Sequence, residues 1–318
     1  MNALKRMLVV ALVLGAASGT ALAAGPRPHF GAWNTAQKID EINGNDPDLN
    51  TSSQDGCPIQ SPDGLKLYIA SNRPGGKGGL DIWMATRASK ESPWGTAADL
   101  PEPINSASDD FCPTPVGKHG LYFVSRRVIA GVTCGMGDIY FARRDRTGAW
   151  GDPHHFSCAP DGPNSALDEQ GPSYAKGHLY FSSSSTSPLV LGDLYVSPKT
   201  GPLSFGPASP ITELNDAGAN DIQPNVRKDG REVVFSSNRA GGLGGQDIWT
   251  ATHASADAPW TVAVNVGSGV NTGLGETRPS LSRDALQLLF GRAGPAGTGE
   301  GGTGLADVYV TTRDKDGH

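Results

Sequence analysis

The chain has 318 residues, 32 acidic and 26 basic side chains, and a formal net charge of −6 at pH 7. That balance excludes a non-specific nucleic-acid binder, which needs a basic surface. The 43 glycines and 24 prolines, with almost no apolar recurrence at helical spacing, exclude a helical bundle and point to short strands and turns.

The first element is a targeting segment. Lys5 and Arg6 precede an apolar run from Met7 to about Ala17, and Ala21-Leu22-Ala23 forms an Ala-x-Ala site. This pattern predicts a secretory signal peptide over residues 1–24 and one mature domain over 25–318. The run is short for a bilayer span and carries no cysteine for a lipid; no later stretch is apolar enough to cross. Loss of Lys5 and Arg6 takes the charge to −8. A periplasmic or secreted monomer is expected.

The rest of the chain repeats itself. Asp221–Trp249 reads DIQPNVRKDGREVVFSSNRAGGLGGQDIW, and Asp55–Trp83 reads DGCPIQSPDGLKLYIASNRPGGKGGLDIW. Looser copies start at Asp110, Glu169 and Glu276. In each copy an acid stands three residues before a proline: Pro58, Pro113, Pro172, Pro224 and Pro279. An Asp-aliphatic-aromatic triplet follows at Asp81, Asp138, Asp193, Asp247 and Asp307, and Asn43, Asn105, Asn164, Asn215 and Asn271 precede the units. Five copies at a period of roughly 55 residues mean a repeat architecture.

Each unit reads as four strands. The residues after the proline form the first, and Lys228-Asp229-Gly230 is a turn in the fourth unit. Arg231 to Ser236 is the second, rich in β-branched and aromatic residues. A glycine loop leads to the third at Asp247, and the fourth is expected to carry the aromatic Trp260, with Trp94, Trp150 and Phe205 as equivalents. Four antiparallel strands repeated radially make an all-β, five-bladed β-propeller. After Arg313 five residues remain, too few for a fourth strand. The segment from Phe30 to Ile39 is therefore expected to complete the last blade and cover its open edge. Val128 to Gly137 and Ala293 to Gly304 are the irregular loops.

The string SPDG-x-x-LY-x-x-SNRPGG-x-GG-x-DIW at Ser61 to Trp83 resembles the WD40-like PD40 repeat, related to the repeats of TolB-like propellers. The resemblance covers essentially the whole mature chain and implies the propeller. It implies little about function, since one fold hosts many tasks. The repeats of the second, third and fifth units depart from the full string, and the α/β partner-binding domain of TolB has no counterpart here.

Four cysteines, Cys57, Cys112, Cys134 and Cys158, suggest two disulfides in an oxidising compartment. Three pairings are possible; Cys57 and Cys112 hold the same place in neighbouring units, which favours Cys57–Cys112 with Cys134–Cys158.

Candidate site residues follow from the geometry of a propeller. Asp55, Asp110, Glu169, Asp221 and Glu276 open the inner strands and converge at one channel mouth. Such a ring could hold calcium through oxygen ligands, could supply a catalytic pair such as Asp110 and Glu169, or could be structural. No resident cofactor is expected, apart from that calcium. Asp109 and Asp168 are extra acids that break the symmetry of the second and third units. Arg73, Arg127, Arg239 and Arg292 recur after the second strand and are expected to pair with acids such as Asp81 or Asp247. Residues just before the prolines vary: Gln223 and Arg278 are candidates to meet a ligand, and Phe111 and Tyr174 to stack on a sugar or to fill space between blades. Gly75 to Gly79 lacks the spacing of a phosphate loop. His154 and His155 are adjacent in a strand, point to opposite faces and cannot share one metal.

Two functions are weighed. The first is a non-catalytic binding propeller of a bacterial-type cell envelope, taking a protein, peptide or glycan at the channel mouth. The second is a carbohydrate-active enzyme, glycoside hydrolase-like, using carboxylates there. The lack of an asymmetric catalytic motif favours the first.

Overall fold

A computed structural model describes residues 30–186, 189–255, 258–294 and 306–315. The segment expected to be a signal peptide and most of the glycine-rich stretch from 293 to 304 lie outside the described residues. The five units fold as five antiparallel sheets around a channel, as the repeat predicts. Blade one comprises Asp55–Gln60, Lys66–Ser71, Asp81–Thr86 and Ala98–Asp99, in that order from the channel outward. Blade two runs through Asp110–Val116, Gly120–Ser125, Asp138–Arg143 and His154–His155. Blade three, Asp168–Ala175, His178–Thr186, Leu189–Gly201 and Ser209–Pro210, adds the short strand Ser204–Phe205. Blade four is Asp221–Val226, Glu232–Ser237, Asp247–Thr252 and Val264–Asn265.

Blade five is closed by the start of the chain. Gln37–Lys38 pairs with Ala306–Thr312, Gln37 opposite Val310 and Lys38 opposite Tyr309. Around this pair the Asn34 N–H donates to the Thr312 carbonyl at 2.9 Å and the Ile39 N–H to the Val308 carbonyl at 3.1 Å. The ring is sealed where the two segments meet, which removes an open sheet edge.

Two sequence expectations shift in register. The aromatic of the outer strand precedes that strand by four residues in every blade: Trp33, Trp94, Trp150, Phe205 and Trp260. In three blades it packs under the arginine that follows the third strand. The Arg87 guanidinium lies 4.1 Å over Trp94, that of Arg144 4.4 Å over Trp150 and that of Arg313 4.3 Å over Trp33. The repeated asparagine of the first unit is Asn50 rather than Asn43. Asn50 accepts from the Val308 N–H at 2.7 Å and donates to its carbonyl at 3.1 Å. Asn105 makes the same pair of bonds with Ile82, Asn164 with Ile139, Asn215 with Leu194 and Asn271 with Ile248. Each amide satisfies a buried strand of the preceding blade, so the true marker must sit close to the ring acid; Asn43 is too far upstream and is exposed.

Every inner strand carries a β-bulge at the residue before the proline. Cys57, Cys112, Gln223 and Arg278 have φ of 46°, 47°, 56° and 57° there, and Gly171 has 59°. A left-handed bulge turns the side chain of this residue into the channel in four blades, and leaves the Gly171 backbone there in the third. Both disulfides form as paired above, Cys57–Cys112 between neighbouring inner strands and Cys134–Cys158 in blade two. Each contributes about 2–4 kcal/mol and suits an oxidising compartment outside the cytoplasm. Among the described residues no helix is long and apolar enough to cross a membrane.

Candidate functional site

The five ring acids are completely buried. Arg73 reaches Asp55 at 2.5 Å, Arg127 Asp110 at 2.7 Å, Arg239 Asp221 at 2.5 Å and Arg292 Glu276 at 2.8 Å. The expected pairing of these arginines with Asp81 or Asp247 is thus corrected: their partners are the ring acids. The second oxygen of each ring acid ties down the loop that leads into its blade. Asp55 accepts from the Thr51 N–H and hydroxyl at 2.6 and 2.8 Å, Asp110 from those of Ser106 at 2.6 and 2.7 Å. Asp81 is instead wrapped by the glycine loop, accepting from the N–H groups of Lys77 and Gly78 at 2.7 and 3.0 Å. A Cβ on Gly76 would stand 2.0 Å from the Asp81 carboxylate, which explains the glycine.

Glu169 is the exception in the ring. Ser185 stands where blades one, two and four carry Arg73, Arg127 and Arg239, and Glu169 is held by the Ser183 hydroxyl at 2.9 Å and by Ser165. Burial pushes its pKa up to about 7, against the pull of those hydrogen bonds. Asp110 and Glu169 therefore lie inside blades, without a face to a substrate. The oxygens that a calcium ion would need are taken by arginine and N–H donors in four of the five acids.

What the structure brings together at this mouth is the asymmetric pair. One guanidinium, Arg126, donates from Nη1 to Asp109 Oδ2 and from Nη2 to Asp168 Oδ2, each at 2.9 Å. The acids come from the ends of two different blades and retain 28% and 10% side-chain exposure. Gln170 donates to Asp168 Oδ2 at 2.9 Å, and Gln223 to Gln170 at 3.0 Å. Asp168 Oδ1 has no hydrogen-bond partner among the described residues. Phe111 lies beneath Arg126, 5.1 Å from its guanidinium carbon, and is 2% exposed, so it supports the arginine rather than offering a stacking face. The extra acids were visible in the sequence; the arginine that joins them was hidden beside Arg127, which matches the repeat.

Gln223 and Arg278 sit deeper, at the channel waist, with Cys57, Cys112 and Gly171; the waist holds only about 30 Å³. Tyr174 is at the opposite mouth. There a basin of about 460 Å³ is lined by Ile59, Val116, Tyr174 and Leu281, with Lys176, Lys228 and Arg283, and by no acid. The expected site residues are thus divided among three levels of one channel.

The histidines behave as strand alternation predicts. His155 pairs with Asp138 at 2.9 Å, while His154 is exposed and meets the Leu203 carbonyl at 2.9 Å. Cys134, Asp138 and His155 lie close enough to suggest a metal, but the Cys134 sulfur is committed to its disulfide.

No protein-family model and no curated sequence matches the chain. Solved structures match its fold. The catalytic domain of an α-L-arabinofuranosidase from Coprinopsis cinerea aligns over 90% of this chain and 98% of its own, with TM-score 0.53 and 13% identity. An endo-arabinase from Bacteroides thetaiotaomicron aligns over 89% and 97%, with TM-score 0.50 and 15% identity. A TolB-type protein from Agrobacterium tumefaciens aligns over 76% and 71%, with TM-score 0.47 and 14% identity. At such identities the shared property is the propeller fold. The comparison nonetheless overturns the leading functional expectation, a non-catalytic binding propeller. That expectation took a propeller without a catalytic motif as a binder. Proteins named as arabinofuranosidases and arabinases share nearly the whole fold, which favours the glycoside hydrolase-like alternative.

Proposed function

We propose that the chain is a carbohydrate-active enzyme of glycoside-hydrolase kind, working outside the cytoplasm at the ring-acid mouth with Asp109 and Asp168 as its carboxylate pair. The burial of Asp110 and Glu169 moves this chemistry one residue upstream in each blade. One observation carries the proposal: a single guanidinium bridges the two carboxylates. Two 2.9 Å bonds to neighbouring nitrogens keep the oxygens within roughly 8 Å of each other, a separation that suits an acid and a nucleophile or base on either side of a glycosidic bond. One carboxyl group would protonate the leaving oxygen. The other would attack the sugar or activate water, and Arg126 would hold both in register. The names of the fold neighbours direct the first substrates to arabinose-containing polysaccharides.

The test is hydrolysis of arabinan, arabinoxylan and bacterial polysaccharides by the purified protein, read as reducing ends released. Turnover of at least one substrate is expected, with a loss of roughly 10²–10⁴-fold in kcat in Asp109→Asn and in Asp168→Asn and an unchanged circular dichroism spectrum. Failure to cleave any substrate, or full activity in both variants, overturns the proposal.

A further inference from the structure

We propose that the ring-acid end of the channel is a receptor for one small monovalent anion, a halide or a single carboxylate, built on the guanidinium of Arg278. This residue fills the bulge position of blade five, where the other blades carry Cys57, Cys112, Gly171 and Gln223. It is the one charged side chain among the five. Its backbone N–H donates to Ser236 Oγ at 3.1 Å, which fixes the bulge and aims the side chain into the channel. The guanidinium then lies against blade one: a Cβ on Gly56 would fall 2.7 Å from its Nη1, so a side chain there would push the guanidinium from this position.

The electrostatics demand a partner. Arg73, Arg126, Arg127, Arg239, Arg292 and Arg313 each contact a carboxylate at 2.9 Å or less. No carboxylate lies within ion-pair distance of Arg278 among the described residues, and no side-chain acceptor meets its guanidinium there. The residue is half-buried against the channel wall, and desolvation together with the charge of Arg126 pulls its pKa down to about 10. A half-buried cation beside a second guanidinium favours a counter-charge, and a guanidinium offers a planar fork of donors matched to a carboxylate. The neighbouring acids cannot serve, since Asp109 and Asp168 are already bound to Arg126. The waist of about 30 Å³ admits a water-sized group but not a sugar ring. The anion is therefore either free, or the carboxylate of a uronate whose ring rests in the mouth above.

The inference stands apart from the catalytic reading, because its test needs no turnover. Chloride NMR linewidth is measured with wild-type protein, Arg278→Lys and Arg278→Gln, at fixed ionic strength. Protein-dependent broadening is expected for wild type and Arg278→Lys, about tenfold weaker for Arg278→Gln. Formate and glucuronate are then added as competitors. Displacement by glucuronate at lower concentration than formate identifies a saccharide carboxylate as the source; equal displacement identifies a free ion. Broadening that persists in Arg278→Gln, or that neither competitor removes from the wild type, overturns the proposal. The competition arm needs only the wild type, so a variant that fails to fold leaves the test intact.

Discussion

Blades three and four are copies of one unit, and they lock their inner strands by different means. In blade four the second strand ends at Ser237, and the chain then turns away. The Ser237 hydroxyl accepts from the N–H and Nε of Arg239 at 3.1 and 2.9 Å, which swings the guanidinium onto Asp221. The glycine loop that follows wraps Asp247 with N–H donors. In blade three serine replaces that arginine, and the second and third strands run on as a hairpin, with Ser185 opposite Val190 and Thr186 opposite Leu189. In blade four the arginine and the glycine loop occur together; in blade three the arginine is replaced, the strands pair further, and the inner carboxylate is left without a cation.

The strongest way to break the comparison is to remove the clamp from blade four. Arg239→Ala leaves Asp221 buried and unpaired, and a loss of about 3–5 kcal/mol is expected in chemical denaturation, because an uncompensated buried charge is left behind. In blade three the hydroxyl on the ring acid is Ser183, 2.9 Å from Glu169, and Ser183→Ala removes a hydrogen bond rather than a counter-charge, so about 1 kcal/mol is expected. A loss for Ser183→Ala equal to that for Arg239→Ala would show that the clamp is not what distinguishes the blades.

The next effect is on pH. The folded-state pKa of Glu169 is raised from 4.5 to about 7, so the native state binds this proton more tightly than the unfolded chain. Its contribution is fully present below pH 4.5 and is lost as pH rises through 7, up to about 3 kcal/mol in total. Glu169→Gln should abolish that fall between pH 5 and 8, read as the midpoint of thermal unfolding against pH. An identical pH profile in the variant would sink the assignment.

The seam gives a smaller effect. Asn50→Ala removes two hydrogen bonds to Val308 and leaves both backbone groups buried, so about 1–3 kcal/mol is expected. Asn105→Ala in an internal blade should match it; a much larger loss at Asn50 would mean that the seam is weaker than the other joints. Last, Ser185→Arg tests whether the clamp can be transplanted. At pH 8 it should stabilise by about 1 kcal/mol, by giving Glu169 a charged donor, and should vanish as a gain at pH 5. No pH dependence of the gain would mean that the arginine does not reach the carboxylate.

Much of the wheel was legible. Period, blade number, strand order and closure by the leading segment follow from repeated letters, because each blade meets its neighbours through the same contacts; for the cysteines the repeat favoured one of three pairings through Cys57 and Cys112. Asn50 was missed, since an unrelated Asn43 lies nearby and only the bond to Val308 tells them apart. The arginine partners were missed for a similar reason: Asp81 and Asp55 are both near Arg73 in sequence, and only the turn after Ser71 decides which carboxylate the guanidinium meets. The site was less legible still. The ring acids looked open because they begin strands at a channel mouth, whereas clamping buries them.

The sequence by itself determined the five-fold wheel, because a unit that cannot cover its own apolar faces must stack on copies of itself, and that requirement is written into every copy. Tertiary structure alone decided which acids are locked inside blades and which share Arg126 at the channel mouth. Asp109 and Asp168 come from different blades, and Arg278 faces blade one from blade five. Such meetings depend on where the closed ring places side chains that no local pattern relates.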